Sequence, residues 1–237
     1  MRPVIGIPLR YQKLKDDRPI VYMSERLRRT IQIAGGLVYA ISPLQNVDYI
    51  NTRGNEFLEL TEEEKEIIEM EVMTCDGILF PGGIKFTPYD RYLLEVAVRL
   101  NIPVLGICLG MQMMSCLGKD IDLIDVDTGV CHMQENDEEL SHYVNIIKDS
   151  KLYEILGKER LLVNSFHKRR IKSSGIYREV GYSDDGLIEA IEYSKDNFNI
   201  GIQWHPEISY EFDDNSKKII DAFIEAAREK KKIKEKN

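Results

Sequence analysis

Val104-Leu105-Gly106-Ile107-Cys108-Leu109-Gly110-Met111-Gln112 is the stretch on which the fold turns. An apolar run short enough to be a buried strand meets a helical pattern, Gly110 to Leu117, through a G-x-C-x-G turn. The flanking glycines let neighbouring backbone approach where a Cβ would clash. The turn lifts the Cys108 side chain above the sheet edge. The helix that follows aims its unpaired N–H groups and positive dipole end at the sulfur, which favours a thiolate. Taken alone, the motif suits a nucleophile elbow and an ordinary strand-to-helix turn with a small buried cysteine equally well.

Outward from this turn the same texture repeats. Val4 to Ile7, Leu37 to Ile41 and Gly77 to Phe80 are apolar strand-length runs. Between them lie helical patterns: Ser24 to Ala34, stopped by Gly35-Gly36; Thr61 to about Val72, opened by a Thr61-to-Glu64 capping box; and Tyr89 to Leu100. Continuous apolar strands separated by helices predict a parallel sheet covered on both faces, a doubly wound α/β domain. Ligands in such sheets bind beyond the carboxyl ends of the strands. Two loops are expected there, Pro81-Gly82-Gly83 and the turn at Cys108.

From about Asp120 the pieces shorten: Val144 to Ile147, Leu161 to Val163, Leu187 to Ile191 and Ile200 to Trp204. The alternation in Leu187 to Ile191 suggests antiparallel pairing. No Ser/Gly-rich linker divides these pieces from the rest, so residues 1–237 are expected to form one domain. Ser216 to Ala227 reads as an amphipathic helix, and 228–237 as a charged, solvated, fraying tail.

The chain has 237 residues and enough apolar composition, 43%, for a packed core. Forty acidic against 32 basic residues give a net charge of −8, which argues against a dedicated nucleic-acid binder. No apolar run reaches the length of a membrane span, and Met1 to Pro8 is too short for a signal peptide, so a cytoplasmic protein is expected. Cys75, Cys108, Cys116 and Cys131 are too sparse for a disulfide framework. Cys75, Cys116 and Cys131 are expected to be buried apolar fillers, and Met111, Met113 and Met114 to be helix packing.

A base for the cysteine appears in Gly201-Ile202-Gln203-Trp204-His205-Pro206-Glu207, a strand running into His-Pro-Glu. A cysteine nucleophile works best with an imidazole to take and return a proton, and the imidazole with a carboxylate that fixes its tautomer. In extended geometry His205 and Glu207 point the same way, and Pro206 stiffens the backbone between them. A tetrahedral oxyanion needs two donors. The N–H of Leu109 and one from the Gly82-Gly83 turn are the candidates. Neither a Walker nor a dinucleotide glycine motif is present.

Together these three segments resemble the class I glutamine amidotransferases, over essentially the whole chain from Val4 to the last helix. The resemblance implies a flavodoxin-like α/β fold: a doubly wound, mostly parallel central sheet with helices on both faces and a smaller antiparallel region. It implies a Cys108–His205–Glu207 triad working through a γ-glutamyl thioester, with Gly83 and Leu109 as the oxyanion hole and Gln112 on the glutamyl head group. Pro3-Val4-Ile5-Gly6-Ile7, Val163-Asn164-Ser165-Phe166-His167 and Asp185-Gly186-Leu187-Ile188-Glu189-Ala190-Ile191 look like the γ-glutamyl-γ-aminobutyrate hydrolase branch, the peptidase C26 type. By that likeness Asn164, Ser165, Phe166 and His167 help bind the glutamyl moiety.

Two departures bear on the amine half of the substrate. The segment Ile84 to Tyr89 is short and lacks a third glycine, and His167-Lys168-Arg169 stands where the branch tends to have His-His-Gln. Both segments are expected to border the leaving-group side, with Lys168 and Arg169 read as exposed loop charges. His132 and His142, with Glu138, lack metal-ligand spacing and read as ordinary polar residues, so neither metal nor cofactor is expected. The resulting expectation is a stand-alone hydrolase of γ-glutamyl amides, a small-molecule enzyme whose self-association is left open. The alternative is a glutaminase subunit feeding ammonia to a separate synthetase chain. A catalytically idle binding module on the same fold is the third reading.

Overall fold

The apolar runs become strands and the patterned segments between them helices. The computed structural model describes residues 1–45, 48–52, 58–118, 123–137, 139–194 and 197–236. In chain order the first half contains β1 (Val4–Pro8), β2 (Arg10–Lys13), β3 (Pro19–Tyr22), α1 (Glu25–Ile33), β4 (Leu37–Ile41) and α2 (Glu62–Thr74). It continues with β5 (Gly77–Phe80), α3 (Pro88–Arg99), β6 (Val104–Ile107) and α4 (Leu109–Met114). The second half contains β7 (Leu123–Asp125), β8 (His142–Ile146), α5 (Lys151–Leu156), β9 (Arg160–Val163), β10 (Arg169–Ile171) and β11 (Arg178–Ser183). It ends with β12 (Ile188–Glu192), β13 (Asn199–Ile202), α6 (Pro206–Ser209) and α7 (Asp214–Lys234).

One nine-stranded sheet runs β4-β1-β5-β6-β13-β12-β11-β8-β9. The strands from β4 to β13 pair in parallel, and those from β13 to β9 pair antiparallel. Of the second-half strands, β8, β9, β11, β12 and β13 thus continue the same sheet, while β7 and β10 pair with each other in a separate two-stranded sheet. Two apolar cores flank the sheet. One gathers Leu27, Ile31 and Leu152 with Ile219, Ile220, Phe223 and Ile224 of α7. The other gathers Ile68, Val72, Leu93, Leu94, Met111 and Met114 from α2, α3 and α4. Thr61 and Glu64 form the expected capping box, and Thr87 with Asp90 forms a second one that starts α3 at Pro88.

The carboxyl end of α7 differs from expectation. Instead of fraying after Ala227 it stays helical to Lys234. The lysines there serve the ends of neighbouring elements: Lys230 Nζ donates to Leu100 O (2.8 Å), and Lys234 Nζ to Met73 O (2.8 Å) and Cys75 O (2.5 Å). Orphan carbonyls at helix ends attract cations, and that attraction holds the tail down.

No described helix is long and apolar enough to cross a membrane. Cys75 and Cys116 are buried as expected, whereas Cys131 is exposed. Its segment runs along the surface, where its carbonyl accepts from Ser141 Oγ (2.6 Å).

Candidate active site

Strands β6 and β13 are adjacent and parallel, with Ile107 opposite Ile202, so the residues following them emerge together at one sheet edge. Cys108 follows β6, and its N–H donates to Ile202 O (2.8 Å). Its backbone sits at φ 53°, ψ −105°, a left-handed conformation that costs a non-glycine residue about 1–3 kcal/mol. The neighbouring glycines make the turn possible. A Cβ at Gly110 would lie 2.2 Å from Phe80 O, and one at Gly106 would lie 2.3 Å from Met114 Sδ. The sequence places both glycines here for close approach, and the structure requires them for it.

His205 follows β13 and is fixed from three sides. Its Nδ1 pairs with Glu207 Oε1 at 2.8 Å. Asn164 grips its backbone, accepting from His205 N and donating to His205 O, both at 2.8 Å. The Phe166 ring packs edge-on against the imidazole, centroids 5.7 Å apart. The His205–Glu207 pair does not form along an extended strand, as the spacing suggests. His205 caps α6, Pro206 opens it, and Glu207 folds back within the first turn. Proline is well suited to that first helical position because its missing N–H would have no intrahelical partner.

The thiol and the ring share one neighbourhood. A Cβ added at Gly82 would meet both His205 Cε1 (3.0 Å) and Cys108 Cβ (3.7 Å). His205 Nε2 is buried and has no hydrogen-bond partner among the described residues. Burial works against a charged ring, but the negative charges of Glu207 and Cys108 outweigh it and hold His205 well above the usual histidine range. A ring with one nitrogen on a carboxylate and the other free beside a thiol is equipped to shuttle a proton. Leu109 opens α4, so its N–H lacks an intrahelical carbonyl. Gly83 adjoins it, since a Cβ there would lie 3.0 Å from Leu109 Cδ2.

Residues 87–207, the span that includes Cys108, His205 and Glu207, match the model of the peptidase C26 family. The chain belongs to the peptidase C26 family. It is 34% identical over 179 residues to "Putative glutamine amidotransferase PB2B2.05" of Schizosaccharomyces pombe, covering 65% of this chain and 70% of that one. It is 29% identical over 203 residues to "Putative glutamine amidotransferase-like protein YvdE" of Lactococcus lactis, covering 75% and 85%. Among solved structures, the glutaminase domain of Trypanosoma brucei CTPS with bound acivicin has the same fold, with a TM-score of 0.64 at 17% identity over 96% of this chain and 94% of that one.

In this peptidase C26 member several residues expected at the substrate serve other groups. The Gln112 amide donates to Arg169 O (2.9 Å) and Gln203 Oε1 (3.1 Å). The Asn164 side chain is spent on His205. Ser165 is fully buried, with its N–H on Gln134 Oε1 (2.7 Å) and its hydroxyl on His132 O (2.8 Å). Met111 packs under Gly201. Phe166 is half-buried beside His205.

His167 is buried away from the cleft with His132, His142 and Glu189. His132 and His142, expected to be ordinary polar residues, are instead buried together beside Glu189. Glu138, considered with them, lies outside the described residues. Lys168 and Arg169 are exposed as expected.

A residue that sequence reasoning missed is Arg10, buried at the first position of β2. Its guanidinium fans out to Asp90 Oδ1 (2.7 Å), Pro81 O (2.9 Å) and Gly82 O (3.3 Å). With its carbonyls held this way, the Pro81–Gly83 loop is fixed beside Leu109. The available signals were an arginine just after a buried strand and the T-x-x-D pattern that puts Asp90 at a helix start.

Beside His205 and Gly83 opens a cleft of about 310 Å³, lined by Arg10, Tyr22, Ser24 and Arg26 from the β2–β3 hairpin and the start of α1. The His167–Arg169 segment, expected on the leaving-group side, does not line it.

Proposed function

We propose that the chain hydrolyses γ-glutamyl amides through a thioester on Cys108. The observation that carries this reading is the free, buried Nε2 of His205 beside a strained cysteine, with Nδ1 held by Glu207. The Cys108 thiolate attacks the γ-carbonyl, and the oxyanion is received by the N–H groups of Gly83 and Leu109. His205, already favoured in its charged form, hands its proton to the departing amine. The neutral ring then takes a proton from water, which attacks the thioester and releases glutamate. The leaving amine lies in the cleft walled by Tyr22, Ser24 and Arg26.

A panel of γ-glutamyl amides, including glutamine and γ-glutamyl-γ-aminobutyrate, read out as free glutamate, tests this. Glutamate release by the wild-type chain and none by Cys108→Ala is expected, together with labelling of Cys108 by a thiol-reactive glutamine analogue. Equal turnover by both proteins would end the proposal.

A second reading, glutaminase delivering ammonia to a separate synthetase, draws on the likeness to a synthetase's glutaminase domain. Glutamine as the preferred substrate, with strong activation by a co-purifying synthetase, distinguishes it.

A further inference from the structure

Behind the catalytic strand, three imidazoles and a carboxylate from four separate segments meet in the interior. They are His132 in the loop before β8, His142 at the start of β8, His167 after β9, and Glu189 in β12. All are buried, at 3%, 6%, 4% and 0% exposure, so water does not solvate them. His132 Nδ1, His142 Nε2 and His167 Nε2 lie 3.3, 3.5 and 3.4 Å from Glu189 Oε1, and the His132 and His167 nitrogens are 3.1 Å apart. The donor atoms of His132, His142 and Glu189 all lie within 4.8 Å of one another.

The outward nitrogens settle which way each ring presents its lone pair. His132 Nε2 is 3.0 Å from Asp185 Oδ2, His142 Nδ1 is 3.3 Å from Cys131 O, and His167 Nδ1 is 3.0 Å from Arg169 O. A carbonyl only accepts, and so does an ionised carboxylate, so each outward nitrogen carries the hydrogen. In neutral rings the inward nitrogens are then bare lone pairs, all turned toward a carboxylate oxygen. One proton shared between His132 and His167 would relieve only that pair. His142 Nε2 and both Glu189 oxygens still have no hydrogen-bond partner among the described residues. A burial this complete of unpartnered polar atoms is costly unless a cation binds them.

We propose that His132, His142, His167 and Glu189 bind one zinc ion as a closed, structural site. Zinc takes imidazole and carboxylate ligands at about 2.0–2.1 Å in a tetrahedron, which sets neighbouring donors about 3.3–3.4 Å apart, close to the spacings around Glu189 Oε1. Calcium and magnesium prefer all-oxygen shells, and copper(I) prefers sulfur. Asp185 and the two backbone carbonyls are the outer hydrogen-bond acceptors that orient metal-bound imidazoles.

With four protein donors and no exposed face, the site has no open position for substrate. Its effect on chemistry is positional. His167 lies three residues from Asn164, which grips His205, and the Glu189 carbonyl accepts from Gln203 N (2.8 Å), two residues before His205. The ion ties these segments together behind the catalytic ring.

The test uses the untagged full chain. Zinc is measured by atomic emission after gel filtration. The protein is then stripped with a chelator and titrated with Co(II), followed by its visible absorption. One zinc per chain, or one Co(II) per chain with the intense bands of tetrahedral coordination, is expected. Loss of the metal should lower the thermal transition, and zinc should restore it. Glu189→Gln and His142→Gln should weaken Co(II) binding by at least about 100-fold, while Cys108→Ala binds like wild type, which excludes the active-site thiol as the ligand. A wild-type chain with native circular dichroism that carries no zinc and shows no saturable Co(II) binding would overturn the proposal. Folded Glu189→Gln protein that binds like wild type would overturn it equally.

Discussion

The two halves of the sheet divide the labour differently. The parallel half, β4 to β13, ends in the groups placed for chemistry: Cys108 after β6, Gly82-Gly83 after β5 and His205 after β13. The antiparallel half, β12 to β9, sends Asn164 and Phe166 to hold His205 from behind and gathers the buried histidines around Glu189. Parallel strands all present their carboxyl ends to one edge, so they concentrate loops and helix starts there. Antiparallel strands alternate direction and cannot build such an edge, but they brace it. His205 stands on the seam and depends on both halves.

The sharpest way to break this contrast is to remove the sulfur. Cys108→Ala should lower kcat by at least about 10⁴-fold, as loss of a nucleophile does, with the melting temperature unchanged or raised because alanine relieves no packing but tolerates the turn no worse. Hydrolysis rates on a γ-glutamyl amide and a thermal melt on the same sample check both parts. An activity that survived would show that the parallel edge does not hold the reacting group.

Next in size is the carboxylate on the seam. Glu207→Gln keeps a hydrogen-bond acceptor for His205 Nδ1 but removes the negative charge that, with Cys108, holds the ring's pKa up against burial. We expect kcat/KM to fall about 10²-fold, the low end for acid–base groups, and less than for Cys108→Ala or loss of His205. The sign of the pH effect follows from the raised value. In the wild type the charged ring persists well above pH 6.5, so the alkaline fall of kcat/KM lies above that pH. In Glu207→Gln the ring loses its proton earlier, and the alkaline limb moves to lower pH. A full pH profile of kcat/KM for the two proteins reads this directly, and an unmoved limb would separate Glu207 from the titrating group.

How far these parts could be read from the sequence follows the same division. The parallel strands are continuous apolar runs, and the cysteine turn and His-Pro-Glu are local motifs, so pattern and spacing located all of them. The β2–β3 hairpin has strands of only four residues, is mostly exposed apart from Arg10, and shows no period-2 alternation in Arg10–Lys13 or Pro19–Tyr22, so nothing marked it. The cluster at Glu189 draws single residues from four segments, none at a ligand spacing, and only the folded antiparallel half unites them. Asn164 and His167 were placed at the substrate by family likeness, yet their side chains face inward, one to a backbone and the other to the buried cluster. Family resemblance transfers a residue's position more securely than the direction of its side chain.

Arg10 tests the parallel edge without touching the triad. Its partner Asp90 is as buried as it is, with side-chain exposures of 7% and 5%, so solvent screening is weak. Among the described residues, Arg10→Met leaves the Asp90 carboxylate with the Thr87 N–H and hydroxyl, and breaking such a buried pair costs about 3–5 kcal/mol. The Pro81 and Gly82 carbonyls are released as well. We expect kcat to drop by about tenfold with little change in KM, because the loosened loop serves the transition state rather than substrate docking. Denaturant melts and steady-state kinetics separate the two effects. A KM increase at constant kcat would move Arg10 from loop positioning to substrate binding.

The smallest effect is expected where the chain end meets the far side of the sheet. Lys234 caps the carbonyls of Met73 and Cys75 and lies 3.6 Å from Asp76, whose other oxygen accepts from Val4 N (2.8 Å) at the start of β1. Its ammonium is partly exposed, so screening reduces its worth, and Lys234→Ala should cost only about 0.5–1 kcal/mol. In a chain of this size that is a fall of about 1–4 °C in the melting temperature, with kcat and KM unchanged. Lys236→Ala, at an exposed position two residues on, is the control and should leave the melt where it was. If both variants melted alike, Lys234 would contribute nothing to the anchoring of β1, and the Asp76 carboxylate that accepts from Val4 N would have Lys231, 3.6 Å away, as its effective cation.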